Sequence, residues 1–299
     1  MRIIVAGASG FLGRPLVEHL RKRGHDVVRL VRRDATADDE STWDPYSGRL
    51  DRGLIGGSDA VVNLAAASNK GNPYSRRWAD NVMESRVTTT RVLAEAVSSA
   101  ESPPAYVVGV GTSAYGDHGD AVVTEESTDR GGDALLARVV RAWEAAARPA
   151  FEAGGRVVLM RTAPIVHPRN VPTQQLIPLF RFYLGGRVGR GGQYFPMVSL
   201  EDWKTAATFL AEHDVPSGPY NVCCPSTPTH RGFVEALAGQ LHRPAPFVVP
   251  TKLLELALGP LSPELTNSTN LRPEALLREG FVFQDDDVAK VVATALAAR

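Results

Sequence analysis

Hydrophobic residues in the first half of the chain follow two alternating patterns. Short, uninterrupted apolar runs are typical of strands buried on both faces, whereas apolar residues that recur every three or four positions are typical of helices. The runs predict strands at Ile3–Ala6, His25–Leu30, Asp59–Ala65, Tyr106–Val110 and Arg156–Met160, and the periodic segments predict helices after Gly13 and at Trp78–Ala100 and Leu135–Ala153. This alternation favours an α/β fold with a doubly wound parallel sheet and right-handed crossovers.

Beyond Arg161 the pattern becomes less regular, because prolines and glycines are frequent. Apolar periodicity still predicts one more strand and five more helices, at Tyr220–Cys223 and at Leu200–Ala211, Gly232–Leu241, Lys252–Leu258, Pro273–Glu279 and Val288–Ala298. Two polar, glycine-containing stretches are predicted as loops: residues 34–57, with at most one short element, and the basic segment Gly185–Pro196.

The first predicted strand runs directly into three glycines. Gly7 permits a tight turn, Gly10 lets the backbone approach a pyrophosphate, and Gly13 lets the helix pack closely on the strand. The amides that open the helix, together with its dipole, would then face the phosphates. An ordinary strand–helix turn is the alternative. The context favours a nucleotide, with the following candidate ligands: Gly7, Ser9, Gly10, Phe11, Leu12 and Gly13.

The second predicted strand ends in two arginines, Arg32 and Arg33. An NAD-selective domain usually places an acid there for the ribose 2′-hydroxyl, whereas guanidinium groups suit the 2′-phosphate of NADP. We therefore expect NADP(H). A solvated basic turn is the alternative, and the nearby Asp34 keeps NAD open.

Composition limits the possible functions. The chain of 299 residues is expected to form one large or two interlocked domains, and its 33 basic and 33 acidic residues give no net charge that would attract nucleic acid or an anionic membrane. The adjacent Cys223 and Cys224 are the only cysteines, which indicates neither a disulfide framework nor a metal site and suits a reducing cytoplasm. The N-terminal apolar run is too short to span a membrane. A cytoplasmic protein with no metal is expected.

Several motifs together resemble a known family. They are GASGFLG, NLAA, SRVTTTRVL, AWEAAA, GRVGRGGQYFPMVSLEDW, YNVCCP and LRPEALLREGFVF. They resemble the extended short-chain dehydrogenase/reductases, and within them the YfcH-like "epimerase family" branch. The resemblance covers essentially the whole chain.

The resemblance implies an NADP(H)-binding Rossmann domain at residues 1–165, to which 198–225 returns, with a smaller interleaved substrate lobe at 166–299. It also implies that the cofactor is bound at further positions: Leu64, Ala65, Ala66, Ser85, Arg161, Ala163 and Val166. The family usually has glycine at positions 163 and 167, where this chain has alanine and histidine.

The catalytic pair of the wider superfamily is absent. Active members carry a Tyr-x-x-x-Lys pair, in which the lysine lowers the pKa of the tyrosine, and in sugar epimerases a glutamate follows the lysine by four residues. Alignment on Glu144 places Leu136 and Val140 at the tyrosine and lysine positions. No tyrosine or lysine occurs between residues 135 and 144.

The turn after the fourth strand contains the remaining candidates for catalysis, Thr112, Ser113 and Tyr115. It lies at the carboxyl end of the sheet, where ligands bind in this architecture. A packing role for Tyr115 is the alternative. Asp117 and His118 could form a local acid/base pair, although a solvated loop position is favoured for His118. His167 could face substrate, although a packed or surface position is favoured.

The glycine-rich segment could also take part in ligand binding. Arg187, Arg190 and Gln193 could hold an anionic group, and a flexible basic hairpin is an equal alternative.

The sequence therefore predicts an NADP(H)-dependent oxidoreductase or epimerase-like enzyme that acts on a small polar hydroxy or keto compound. Because the usual catalytic pair is missing, a non-catalytic NADP(H)-binding sensor is the alternative. Neutral charge counts against a nucleic-acid-binding protein. The resemblance to the superfamily implies a homodimer formed through the helices at Trp78–Ala100 and Leu135–Ala153, and a monomer is the alternative.

Overall fold

The computed structural model of the chain describes residues 1–67, 71–171 and 173–298. The strands are β1 Arg2–Ala6, β2 Asp26–Val31, β3 Glu40–Thr42, β4 Ala60–Asn63, β5 Ala105–Gly111, β6 Val122–Val123, β7 Val157–Thr162, β8 Ile165–Val166, β9 Gly186–Val188, β10 Val198–Ser199, β11 Gly218–Val222, β12 Phe247–Val249 and β13 Asn270–Leu271.

The helices are α1 Gly13–Lys22, α2 Arg52–Gly56, α3 Arg76–Ser98, α4 Leu135–Ala145, α5 Arg148–Glu152, α6 Thr173–Arg181, α7 Leu200–Glu212, α8 His230–Leu241, α9 Thr251–Leu258, α10 Pro263–Thr266, α11 Glu274–Arg278 and α12 Val288–Ala297, with a 3₁₀ turn at Gly259–Leu261.

In the described part of the chain, the central sheet is parallel and contains seven strands in the order β11-β7-β5-β4-β1-β2-β3. Strand β1 lies between β2 and β4, so that Ile4 is opposite Val28 on one side and Val61 on the other. Every residue of β4 is buried, as expected for a strand covered on both faces. The predicted doubly wound parallel sheet is confirmed. Its strand order reverses between β1 and β4, and in such sheets ligands bind outside the carboxyl ends of the strands at this switch point.

The described residues divide into two compact units. The first unit comprises Met1–Val110, Val139–Arg161 and Lys204–Pro219, and the second comprises Gly111–Arg138, Thr162–Trp203 and the residues from Tyr220 onward. This division places residues 111–138, 162–165, 198–203 and 220–225 in the second unit, whereas the prediction places them in the nucleotide-binding domain.

The core of the first unit is made by the sheet and by the inner side of α3. Leu93 and Val97 of α3 pack with Tyr106 of β5 in one buried cluster. A polar network lies inside this core: the Thr90 hydroxyl accepts hydrogen bonds from Asn63 at 2.9 Å and from the Trp143 indole at 2.8 Å. Because these groups satisfy each other, the network fixes α3 against the end of β4.

The second unit has a separate apolar core and short parallel strand pairs. Phe195, Phe233 and Val291 belong to one of its buried clusters. The strand pairs are β8 with β10, β9 with β12, and β6 with β13.

Several elements differ from the sequence predictions, among them the following four. The predicted helix Leu135–Ala153 is divided into α4 and α5, because Pro149 lies in the first turn of α5 and a proline cannot continue the preceding helix. Strand β3 forms in the predicted loop 34–57, and β9 forms in the glycine-rich segment, where it pairs with β12. Helix α6 is absent from the sequence predictions, since Pro178 lies inside it.

Candidate functional site

The glycine turn has the geometry that its sequence predicts. Gly7 has a φ of +79°, and a Cβ atom there would lie 2.5 Å from the carbonyl oxygen of Leu64. A Cβ atom at Gly13 would lie 2.2 Å from the carbonyl oxygen of Gly7. At Gly10 the restriction is milder. Apart from the adjacent residues, a Cβ atom there would contact one atom, the carbonyl oxygen of Gly7, at 3.2 Å. Gly7 and Gly13 are therefore required by the fold, whereas Gly10 leaves room above the turn.

A cleft of about 680 Å³ lies beside this turn in the first unit. Nine of its lining residues were predicted as cofactor ligands: Gly7, Ser9, Gly10, Arg32, Arg33, Leu64, Ala65, Ala66 and Ser85. Further lining residues were not predicted, among them Arg29, Glu40, Trp43, Pro45, Tyr46, Asn81 and Thr89. The carboxyl ends of β1, β2 and β4 thus meet at one polar cleft, as the position of the switch point requires.

Arg32 and Arg33 both line the cleft but differ in their contacts. Arg33 binds Glu40 through two hydrogen bonds, of 2.8 and 2.6 Å. The Arg33 bonds, supported by the backbone of Thr36, lower the pKa of Glu40 to about 2. Arg32 is exposed, and its guanidinium forms no hydrogen bond or ion pair with the described residues, although its charge helps to lower the pKa of Asp44. Arg32 is therefore the arginine that is available to a ligand.

The alanine segment after β4 is held in place by hydrogen bonds from α3 and β4. The amide of Ala67 donates to the Ser85 hydroxyl at 3.0 Å, and the Thr89 hydroxyl donates to the carbonyl oxygen of Ala65 at 3.0 Å. The Asn63 side chain accepts from the amide of Ala65 at 3.1 Å. These bonds fix the backbone at the edge of the cleft.

The other predicted cofactor ligands do not line this cleft. Phe11 and Leu12 lead into α1. The Arg161 guanidinium binds the Glu144 carboxylate at 2.7 and 2.9 Å, which explains why that glutamate is present although the catalytic pair is not. In the second unit, the amide of Ala163 donates to Val222, and Val166 lies in β8.

In the second unit, the turn that follows β5 holds the predicted catalytic residues in unequal environments. Tyr115 is 2% exposed, and its hydroxyl donates to Asn221 Oδ1 at 2.9 Å. This bond favours the packing role for Tyr115. Thr112 is half-buried, and its carbonyl oxygen accepts from the amide of Tyr115.

Ser113 has a partner that sequence reasoning missed. Its hydroxyl oxygen lies 3.0 Å from Glu264 Oε2 in α10. The Glu264 side chain is accessible to solvent, yet desolvation raises the pKa of its carboxyl group, against the lowering effect of the Ser113 hydrogen bond. The two residues are 151 positions apart, so no local motif could reveal the pair.

Both candidate histidines are packed. His118 is 8% exposed, so its predicted position in solvent is wrong, and its ring contacts the carbonyl oxygen of Thr128 at 3.2 Å. Asp117 instead accepts from the amide of Gly119. His167 is buried as expected, and burial, together with the Arg169 charge, lowers its pKa.

The glycine-rich segment is part of the folded second unit. Arg187 lies in β9, and the Gln193 side chain donates to the carbonyl oxygen of Leu265 at 3.2 Å. The carbonyl oxygen of Arg190 accepts from the Arg231 guanidinium at 2.8 Å. Binding of an anionic group at this segment stays a prediction.

Two classes of feature are absent from the part of the chain that the structure describes. It contains no group of three or more His, Cys, Asp or Glu side chains that could hold a metal ion. Within the same ranges, no helix combines the length and the apolar character that crossing a bilayer requires.

The parallel sheet, its strand order and the glycine turn at the switch point define a Rossmann-type fold of the extended short-chain dehydrogenase/reductase class. Residues 3–223 match the NAD dependent epimerase/dehydratase family, and residues 249–295 match a domain of unknown function, DUF1731. The chain belongs to the NAD dependent epimerase/dehydratase family.

Similar proteins cover nearly the whole chain. An epimerase family protein of Mycobacterium leprae is 35% identical over 294 residues, which are 98% of this chain and 95% of the relative. The crystal structure of the human epimerase family protein SDR39U1 (isoform 2) with NADPH is 28% identical, has a TM-score of 0.87, and aligns over 99% of this chain and 100% of the human one. A nucleoside-diphosphate sugar epimerase from Corynebacterium glutamicum is 29% identical with a TM-score of 0.80, over 99% of this chain and 58% of that one.

Proposed function

We propose that this protein is an NADP(H)-dependent oxidoreductase or epimerase-like enzyme that acts on a small polar hydroxy or keto compound. The observation that carries the proposal is the cleft at the switch point, where the glycine turn and the Arg32 guanidinium line one cavity. The human relative, which was solved with NADPH, supports the same cofactor.

The lining residues fit the parts of NADPH. Space above Gly10 allows a pyrophosphate to approach the backbone at the start of α1, where amides and the helix dipole favour an anion. The small side chains of Ala65 and Ala66 allow a flat group to lie against the end of β4. When bound, NADPH supplies a hydride to a carbonyl carbon.

The charges at the cleft favour NADP(H) over NAD(H). The acid that lines the cleft, Glu40, is engaged by Arg33 at 2.6 Å and by Arg29 at 3.1 Å, so it is not free to accept from a ribose 2′-hydroxyl. Asp34, the acid that kept NAD open, is exposed and does not line the cleft. Arg32 is left available for a 2′-phosphate.

A non-catalytic NADP(H)-binding sensor is the second candidate. It is favoured by the residues of α4 at the positions of the usual pair, Leu136 and Val140, neither of which can exchange a proton. Both candidates need the cofactor, and they differ only in whether a hydride leaves it.

Deuteride transfer distinguishes the two candidates. The protein is incubated with NADPH that carries deuterium on either face of C4, together with α-dicarbonyl probes (methylglyoxal and diacetyl), and the products are analysed by mass spectrometry. The enzyme predicts deuterium in the hydroxy product from one face only. Tight NADPH binding without transfer to any probe would contradict the enzyme and support the sensor.

The proposal extends to location and partners. The two cysteines are buried free thiols, as a reducing compartment allows, and a cytoplasmic protein without nucleic-acid or membrane partners is proposed. A monomer or a homodimer is the expected state.

A further inference from the structure

Ser113 and Glu264 form a polar pair in the second unit that could move a proton. The Ser113 hydroxyl oxygen and Glu264 Oε2 are 3.0 Å apart. Ser113 is half-buried and Glu264 is exposed, so both side chains can be reached by a small molecule. Ser113 follows β5 by two residues, next to the carboxyl end of that strand.

Hydrogen bonds on both sides of the pair hold it in place. On the chain that follows Glu264, the Ser268 hydroxyl donates to the carbonyl oxygen of Gly119 at 2.6 Å, and the Thr269 hydroxyl donates to that of Gly116 at 2.8 Å. Within α10, the carbonyl oxygen of Leu265 accepts from the Gln193 side chain at 3.2 Å. The chain segments that carry Ser113 and Glu264 are therefore held together by contacts that do not depend on a ligand.

The electrostatic surroundings suit a group that gains and loses a proton. Among the described residues, no charged side chain forms a hydrogen bond or ion pair with Glu264, and its one polar side-chain contact is Ser113. Desolvation raises the pKa of the carboxyl group, so that its neutral form persists to higher pH than in an ordinary glutamate.

We propose that Glu264 is the proton source for the reaction and that it acts through Ser113, which touches the substrate oxygen. This inference rests on the proposed function, because the accompanying hydride must come from the bound cofactor. The pair would replace the missing tyrosine and lysine.

The proton steps balance as follows. As the carbonyl carbon accepts a hydride with its two electrons, the carbonyl oxygen takes the proton of the Ser113 hydroxyl. The Ser113 oxygen takes the proton of neutral Glu264, and the resulting carboxylate regains a proton from water. In the oxidative direction, the carboxylate accepts through Ser113 the proton that leaves the substrate hydroxyl.

The test compares Glu264→Gln, Glu264→Asp and Ser113→Ala with the exposed control Glu255→Gln of α9. We measure reduction of the same α-dicarbonyl probes by NADPH as a function of pH. A general acid contributes about 10²- to 10⁴-fold, so Glu264→Gln should lower kcat by such a factor while the Kd of NADPH changes less than about twofold. Glu264→Asp should restore part of kcat and the pH dependence, and Glu255→Gln should change neither.

A second readout needs neither cofactor nor substrate. The glutamate side chains are labelled with ¹³C at the carboxyl carbon, and the NMR resonance that is missing in Glu264→Gln is assigned to Glu264. In the wild type, this resonance should titrate above the usual glutamate range. Ser113→Ala should raise its pKa further, because the hydrogen bond that lowers that pKa is lost.

Unchanged kcat and pH profile in Glu264→Gln, or an ordinary titration of its resonance, would overturn the relay while leaving the cofactor site intact. Failure of the wild-type protein to bind NADPH would instead overturn the proposed function. A protein that binds NADPH but reduces none of the probes would overturn both the enzyme and the relay.

Discussion

At the scale of single residues, three glycines of one motif have different roles. Gly7 and Gly13 lie where any side chain would collide with backbone atoms, at 2.5 and 2.2 Å respectively. At Gly10 a side chain would meet a milder contact, at 3.2 Å from the carbonyl oxygen of Gly7, so the glycine there mainly serves the approach of a ligand. The motif predicted all three positions, but only the geometry distinguishes the two glycines that the fold requires from the one that a ligand would approach.

Replacing these glycines by alanine should separate stability from cofactor binding. We expect Gly13→Ala to lower the free energy of unfolding by about 1–3 kcal/mol or more, since a Cβ atom there forces the turn to shift. Gly10→Ala should lower the melting temperature less than Gly13→Ala, because its contact at 3.2 Å is milder, but should weaken NADPH binding at least about tenfold, because the pyrophosphate loses its closest approach.

Thermal unfolding and NADPH titration measure these two effects. Gly239→Ala in α8, where a Cβ atom has no neighbour within 4 Å, is the matched control. It should leave binding unchanged and stabilise the helix by up to about 1 kcal/mol. Equal loss of binding in both turn variants with no loss of stability would contradict this division of roles.

The two arginines after β2 show where residue-level prediction ends. Their guanidinium groups predicted a phosphate-binding position, and both residues line the cleft. The sequence could not reveal that Arg33 is bound by Glu40, since that contact depends on β3, a three-residue strand inside a predicted loop.

At the scale of elements, the buried strands were predictable because they are apolar on both faces. The elements that were missed lack such a pattern: all three residues of β3 are half-buried, and α6 contains a proline. Their formation depends on neighbouring elements, β2 in the case of β3, and is not encoded in local periodicity.

Helix α8 begins with a buried histidine that should make stability depend on pH. His230 is 6% exposed and packs edge-on against Phe195, and burial lowers its pKa to about 4. Because the unfolded chain takes up this proton near pH 6.5 and the folded chain only near pH 4, the folded state loses stability as the pH falls through this window. The loss is on the order of 3 kcal/mol.

His230→Phe should therefore flatten the dependence of the free energy of unfolding on pH between 6.5 and 4, although it can change stability at neutral pH. Denaturant unfolding at a series of pH values measures this slope. The exposed His213→Gln is the control and should keep the wild-type slope. An unchanged slope in His230→Phe would show that other groups govern the acid sensitivity.

At the scale of the whole molecule, the cleft of the first unit and the Ser113–Glu264 pair of the second unit were not equally predictable. The glycine turn and Arg32 lie within one short stretch of chain, so their chemistry can be read locally. The Ser113–Glu264 contact joins residues 151 positions apart, and a glutamate in a four-residue helix carries no sequence signal of its own. The proton relay therefore had to be inferred from the fold.

The measurement that tests the central claim most directly is a titration of the wild-type protein and Arg32→Ala with NADPH and with NADH. A charge-assisted hydrogen bond contributes about 1.5–3 kcal/mol, which corresponds to roughly 10- to 100-fold in Kd. We predict that the wild type prefers NADPH by such a factor and that Arg32→Ala loses the preference through weaker NADPH binding alone. Arg91→Ala, on the exposed side of α3, should retain it. Binding of neither cofactor, or equal binding of both that Arg32→Ala does not change, would contradict the account.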